Sequence, residues 1–568
     1  MRQPPGTRFT RRTPPSLDRL GRQPTRLPLL LTAAAALLVI LSWVLFLPPF
    51  GLLRGGDGWQ RAGEGSLVRR RTDVPRPPEG FQLASQFYEI RRDRGVGPAT
   101  MTIPLEEGKA GRGLALFTYS GGSWRRLAPA EVTADGRAAR GQVDQVPDNI
   151  AVMRRISGGF QVQGILKPGA SLHPDAEQLV TVLSPADYVP APDGSVNGAP
   201  SPRPASDVVA VVPVVSATAG AERDAVNAIL ASERARAAHV AELVKLVQTH
   251  RLDGIDLEYT AIDPNLGGAY LALVTALAEQ LHKTGQTLTV TLPLPRREGT
   301  NWNTFGYDWK ELARVADYVR IYPERDQSIY RRAMREALNY ITGVADPKKV
   351  ILTLSPLATE RSEQGTRLLT AVEALSVAAQ FTVRDRERLV ANSDVQVTAD
   401  NLNREGTGGR AGLIWDANAA AVSFVYQAGD SLRTVWIENA FSAAFKLEFV
   451  QLWRLGGVAV DDASAGEGMA NIWPAIAQYQ KAGAPTLLQP NGGLLQPQWL
   501  VDGQSKEIGK AVFTWKAPPD PGDHTVSLVV GDGVMRVINS QRVTLRASAP
   551  ASASPAATPP PRSPTATR

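Results

Sequence analysis

Between residues 177 and 462 the chain alternates short apolar runs with stretches in which apolar positions recur every three or four residues. The runs are EQLVTVLSP (177–185), DVVAVVPVVS (207–216), LDGIDLEY (252–259), TLTVTLPLP (287–295), DYVRIYP (317–323), KVILTLSP (349–356) and GGVAVDD (456–462). Near-continuous apolar runs suit parallel strands buried on both faces. Between two of them, Ser232 can cap a helix whose stripe is Val240, Leu243, Val244 and Val247. Further helices are expected around 267–283, 308–315, 328–342, 439–453 and 469–481. Repeated strand-then-helix units of this number predict a closed (β/α)8 TIM barrel over residues 159–483, with an insertion at about 360–436.

The flanks have a different rhythm. Residues 81–158 carry short alternating runs with turns at Gly121-Gly122 and Asp135-Gly136, the pattern of a small β-sandwich. Residues 484–546 alternate again, and AVFTWKAPPDPGDHTVSLVVGDG resembles the later strands of immunoglobulin-like or fibronectin-like modules. Residues 50–80 are rich in Gly, Arg and Pro and are expected to form a stalk. Residues 547–568 are almost all Ala, Ser, Pro and Thr and are expected to be disordered. The fold class is therefore α/β, a TIM barrel flanked by two small β-sandwich domains, with one N-terminal transmembrane helix. That helix is expected in residues 27–49, where LPLLLTAAAALLVILSWVLFL holds no charge and Pro48-Pro49 ends it. Seven arginines lie in the preceding 26 residues, opposed only by Asp18. By the positive-inside bias they form a cytoplasmic tail, and the bulk of the chain is expected outside the plasma membrane on a single-pass anchor. No small-x-small site follows the apolar run, so the anchor is expected to stay uncleaved.

Composition narrows the chemistry. The chain is 43% hydrophobic and 21% charged, ordinary values for globular domains. It has no cysteine, which excludes disulfides and cysteine-held zinc. The net charge of +7 comes largely from the first 26 residues, so no basic surface points to nucleic acid. Five histidines (His173, His239, His250, His282 and His524) are scattered without metal-ligand spacing, and neither a P-loop nor a Gly-x-Ser-x-Gly elbow is present. No metal or cofactor is expected, and nothing in the sequence names a protein partner.

Barrel chemistry sits at the carboxyl ends of strands, which makes LDGIDLEYT the informative stretch. Alternation puts residues 256, 258 and 260 on one face, so Asp256 and Glu258 project together. Two neighbouring carboxylates repel, which raises the pKa of one and leaves it able to donate a proton. The same spacing also fits carboxylates held by arginines in a barrel without chemistry, and Arg320 could neutralise them.

This stretch resembles the signature strand of glycoside hydrolase family 18, Asp-Gly-x-Asp-x-Asp-x-Glu. SERARAAHVAELVKLVQTHRLDG, YLALVTALAEQLHKTGQTLTVTLP, ADPKKVILTLSP and TVWIENAFSAAFKLEFVQLWRLGGVAV are similar, in order and spacing, to segments of the family's spore-cortex peptidoglycan hydrolase branch. The resemblance implies a protein that acts on N-acetylhexosamine-containing glycans, peptidoglycan or chitin-like. In the family, the glutamate is the general acid and the third aspartate orients the substrate's acetamido group, whose carbonyl is the nucleophile.

Two registers follow. Ungapped, Asp253, Gly254 and Asp256 match, Glu258 replaces the third aspartate, and Thr260 replaces the acid, which implies an inactive glycan-binding or structural relative. Shifted by two residues, Asp256 becomes the orienting aspartate and Glu258 the acid, at the cost of the Asp-Gly match. The Asp-Gly match favours the ungapped register. Two other family features change: Tyr322, Glu324 and Arg325 stand where a Tyr-Asp pair is usual, and Asp461 stands where a floor tryptophan is usual. The candidate catalytic residues are Glu258 and Asp256, and the candidate substrate contacts are Asp253, Tyr259, Tyr322, Trp436 and Asp461.

Overall fold

The computed structural model describes residues 59–548 apart from 62–65, 79–80, 93–96, 111–112, 156–159, 203–208 and 403–411. Among the described residues no helix is long and apolar enough to cross a membrane. The expected span, the basic tail before it and residues 549–568 lie outside the described residues.

The chain divides into two compact units, residues 1–71 with 88–95, and residues 72–87 with 96–568. The first contains an antiparallel sheet of Gln60–Arg61, Ser66–Arg70 and Tyr88–Arg92. Part of the expected stalk is therefore strand. Arg69 and Glu89 face each other across the sheet and pair at 2.6 Å, and the Arg69 and Arg91 guanidiniums lie over the Trp59 ring at 4.9 and 4.5 Å.

The second unit opens with antiparallel strands Phe81–Leu83, Ala99–Pro104, Leu114–Ser120, Ser123–Val132, Ala138–Val143 and Asn149–Arg155. Phe81, Phe87, Phe117, Trp124 and Met153 form their core, with edge-to-face ring contacts at 5.2 Å. The Gly121-Gly122 turn has φ of 58° and 81°, the left-handed conformation that a tight hairpin demands and glycine allows.

The barrel closes. Its eight strands are Gln161–Leu166, Val182–Pro185, residues 210–217, Gly254–Tyr259, Thr287–Leu292, Tyr318–Ile321, Val350–Leu354 and Gly457–Val460, each parallel to the next. The eighth pairs with the first, Gly457 opposite Gln161. The third strand is interrupted at Val212-Pro213, where proline has no N–H for the ladder, and the Pro213 carbonyl accepts the Asp256 N–H at 2.9 Å. Helices Glu233–Thr249, Gly267–Lys283, Trp309–Val315, Tyr330–Val344, Ala440–Trp453 and Trp473–Ala482 fall at the expected places, and Gly220–Ala231 adds to them. Ser232 caps Glu233–Thr249 through the Ala235 N–H. The buried stripe of that helix is His239, Val240, Leu243 and Val247, with Val244 only half-buried.

Gly254 explains the Asp-Gly pair physically. A Cβ there would lie 2.2 Å from the Thr287 carbonyl oxygen, so the fourth and fifth strands can approach only at glycine.

Between the seventh and eighth strands, the insertion forms an antiparallel sheet ordered Gly365–Leu369, Ala358–Ser362, Ser431–Ile437, Ala421–Ala428 and Ile414–Asp416. Its hairpin Phe381–Val383 with Asp394–Ala399 pairs elsewhere: Asp394–Ala399 lies antiparallel to Val512–Lys516 of the C-terminal segment. The remaining C-terminal strands, Gln504–Ile508, Gln498–Val501, Gly522–Gly531 and Arg536–Leu545, form a second sheet. Trp499 is fully buried and touches Phe381 at 5.4 Å and Phe513 at 6.2 Å. The β-structure after residue 484 thus shares strands and core with the barrel's insertion.

Candidate active site

The fourth strand alternates as the sequence requires. Asp256 and Glu258 point into the barrel, while Leu257 and Tyr259 point out toward the helices. Asp256 is completely buried. Its Oδ1 accepts the Thr291 hydroxyl at 2.8 Å, and its Oδ2 accepts Gln163 Nε2 at 3.0 Å and Arg320 Nε at 2.9 Å. Gln163 Nε2 also donates to Ser184 Oγ at 2.9 Å. Side chains from three other strands thereby converge on one carboxylate, a layer of the packed barrel interior made polar.

Glu258 stands one alternation step closer to the carboxyl mouth, with 14% of its side chain exposed. Its Oε2 accepts Ser216 Oγ at 2.7 Å and its Oε1 pairs with Arg320 Nη2 at 3.1 Å. Burial raises the Glu258 pKa. Arg320 and Ser216 oppose the shift, Asp256 and Asp461 add to it, and the net direction is upward from 4.5. Arg320 is itself fully buried. Desolvation works against its charge, and Asp256 and Glu258 outweigh that effect and hold it protonated.

Ion pairs surround the mouth. Asp461, just past the eighth strand, pairs with Arg325 at 2.8 Å, and the Arg325 guanidinium lies 5.8 Å from the Tyr322 ring centroid. Burial pushes the Tyr322 hydroxyl pKa upward; Arg325 opposes this, and Glu258 and Asp461 reinforce it. Lys167 pairs with buried Asp462 at 2.6 Å, and Arg296 pairs with buried Glu324.

Glu258, Asp256, Tyr322 and Asp461 therefore come together, and three expected contacts do not. Asp253 sits at the opposite end of the strand, roughly 16 Å below Glu258 at about 3.3 Å per residue. There it pairs with Arg126 and accepts the Val211 N–H at 2.8 Å, so it ties the barrel's amino end to a neighbouring strand. Tyr259 points outward by alternation and is fully buried; its hydroxyl meets His239 Nε2 at 2.7 Å, and its carbonyl accepts the Tyr307 hydroxyl. Trp436 is buried in the insertion sheet against Ala419 and Ala421, with its indole N–H on Asp416 Oδ2 at 3.1 Å. Thr260 lies past the strand's end.

Gln163, Ser184, Ser216 and Thr291 were not singled out by the sequence. Their signal is a polar residue at an inward position of an otherwise apolar strand. Among the described residues, no group of three or more His, Asp or Glu is placed to hold a metal ion.

The fourth strand, Gly254–Tyr259, lies inside a stretch that matches a known family. Residues 218–465 match the family model for glycosyl hydrolases family 18. Among solved structures, a chitinase from Chromobacterium violaceum is 21% identical, with a TM-score of 0.43, covering 57% of this chain and 99% of that one. The spore cortex-lytic enzyme SleL of Bacillus megaterium is 16% identical, with a TM-score of 0.43, covering 60% of this chain and 77% of that one. A putative sporulation-specific glycosylase, ydhD, from Bacillus subtilis is 15% identical, with a TM-score of 0.37, covering 49% of this chain and 89% of that one. No match was found among curated protein sequences. Residues 218–465 of this chain are a domain of the glycosyl hydrolases family 18.

Proposed function

We propose that the barrel binds and hydrolyses N-acetylhexosamine-containing glycans, with Glu258 as general acid and Asp256 as the residue that orients the acetamido group. The observation that carries this is the position of Glu258 at the mouth, directly above a buried Asp256, in the register shifted by two residues. Glu258 gives its proton to the glycosidic oxygen as the bond to the anomeric carbon breaks. The acetamido carbonyl oxygen of the same sugar attacks that carbon, and water then opens the resulting ring while Glu258 takes back a proton. Charge supports the assignment. Asp256, Glu258 and Asp461 meet two guanidiniums, Arg320 and Arg325, so the fully ionised cluster holds one negative charge in excess, and burial favours a proton on Glu258.

The pH dependence follows with a definite sign. The acid works only when protonated, and its pKa is raised above 4.5. The alkaline limb of kcat against pH is expected above the ordinary glutamate range, and a limb at or below that range contradicts the assignment.

A second reading, glycan binding without turnover, is favoured by Arg320, which engages both carboxylates at once. Loss of the proton donor separates the two readings, because a binder has no turnover to lose.

The protein acts outside the cell on this proposal, held by residues 27–49 with its basic tail in the cytoplasm. The basis is the uncharged apolar run after seven arginines. Full-length chain is expected to stay with the membrane fraction after alkaline carbonate washing and to be cut by protease added to intact cells. Release by the wash, or protection from the protease, contradicts the anchor.

A further inference from the structure

The mouth segment between the sixth strand, Tyr318–Ile321, and helix Tyr330–Val344 carries Tyr322, Glu324 and Arg325. Arg325 is the residue that pairs with Asp461. Two contacts from other elements hold this segment. One is exposed: Arg361 of the insertion donates to both Asp326 oxygens, at 2.8 and 2.9 Å. The other is buried. Gln327 donates Nε2 to the Glu324 carbonyl at 2.6 Å and its backbone N–H to the Arg325 carbonyl at 3.1 Å. Gln327 is only 5% exposed, and its Oε1 accepts Lys446 Nζ at 2.9 Å.

Lys446 is buried as well, on helix Ala440–Trp453, which leads into the eighth strand and Asp461. Its ammonium has three donors and meets three partners: the Gln327 oxygen, the Glu438 carboxylate and the Tyr330 ring, whose centroid lies 4.2 Å away. Glu438 directly follows strand Ser431–Ile437 at the end of the insertion, and its other oxygen accepts the Ser442 hydroxyl at 2.6 Å. Both charged side chains are 4% exposed. A buried pair of this kind adds little net stability over apolar residues of similar volume, because desolvation offsets the attraction. What it fixes is geometry: one ammonium joins the mouth segment, the end of the insertion and the helix before the eighth strand.

We propose that Lys446 is a positioning residue, which acts through Gln327 to hold the mouth segment so that Arg325 stays on Asp461. The inference rests on the barrel being a hydrolase with Glu258 as its acid. Arg325 offsets the Asp461 charge at the mouth. With the segment released, that charge acts on Glu258 unopposed; it then adds to Asp256 and works against Arg320 and Ser216. Glu258 then keeps its proton to higher pH.

The test is the pH profile of kcat on chito-oligosaccharides for the full chain, for Gln327→Met, and for Lys446→Met combined with Glu438→Gln. The charged pair is removed together so that neither charge is stranded, and Gln327→Met leaves Lys446 with Glu438 and Tyr330. In each variant kcat/KM is expected to fall about tenfold, as for a small displacement of groups near a reacting centre. The alkaline limb of kcat is expected to move up by about half a pH unit, a fraction of what a charge in direct contact does. Joining all three substitutions is expected to add nothing, since both variants cut one tether. A fall in rate without a rise of the limb assigns Lys446 to structure alone and overturns the inference, as do unchanged rates or an additive triple variant. If the double variant does not fold, Gln327→Met decides by the same limb. No turnover by the parent overturns the hydrolase reading and the inference with it.

Discussion

Glu258→Gln is expected to lower turnover of N-acetylhexosamine oligosaccharides by about 10²–10⁴-fold, the usual contribution of a positioned proton donor. The substitution is close to isosteric. The new amide oxygen can still accept the Ser216 hydroxyl, and Arg320 keeps its contact with Asp256. What is lost is the proton. Sugar affinity and thermal midpoint should therefore stay near their parental values while kcat falls, and that split identifies a chemical role. A parallel fall in affinity and stability instead assigns Glu258 to structure.

The second large effect is on folding. Arg320→Met is expected to destabilise the chain by about 3–5 kcal/mol, the typical cost of stranding one member of a buried ion pair. Both Arg320 and Asp256 have fully buried side chains, so water cannot take over the contact. Methionine replaces much of the volume and none of the charge, leaving Asp256 with Thr291 and Gln163 alone. Asp256→Asn combined with Arg320→Met removes both charges and is expected to recover most of the loss, since only a coupled pair behaves non-additively. Urea unfolding of the parent, both single variants and the double variant measures this coupling. A loss below about 1 kcal/mol for Arg320→Met, as for an exposed pair, contradicts the buried clamp.

The barrel was legible where its signals are local. Buried parallel strands write themselves as apolar runs, and the helices between them as stripes with caps. The first strand, Gln161–Leu166, escaped because Gln161 and Gln163 interrupt its apolar pattern. Gln163 is polar there because it reaches Asp256 across the barrel. Strand pairing over long sequence separations leaves no local trace, so nothing in residues 484–546 announced that their sheet takes in Asp394–Ala399. Tyr259 was misplaced although alternation already set it opposite Glu258, and Trp436 because strand-end position does not reveal what covers a ring.

The Asp-Gly match has a packing explanation beside the motif one. Asp253-Gly254 supported the ungapped alignment, yet both residues serve strand closure: Gly254 clears the Thr287 carbonyl and Asp253 holds Val211 and Arg126. With packing roles for both, the proposed register rests on the position of each carboxylate along the strand. Glu258 is at the mouth, and Thr260 is beyond the strand.

The most direct measurement compares reducing-end release from chito-oligosaccharides and from peptidoglycan by the full chain, by Glu258→Gln and by Thr260→Val. The proposed assignment predicts turnover by the parent, turnover within about twofold of it for Thr260→Val, and loss of about 10²-fold or more for Glu258→Gln. No release by the parent chain while it retains the sugar, or release that survives Glu258→Gln, contradicts it.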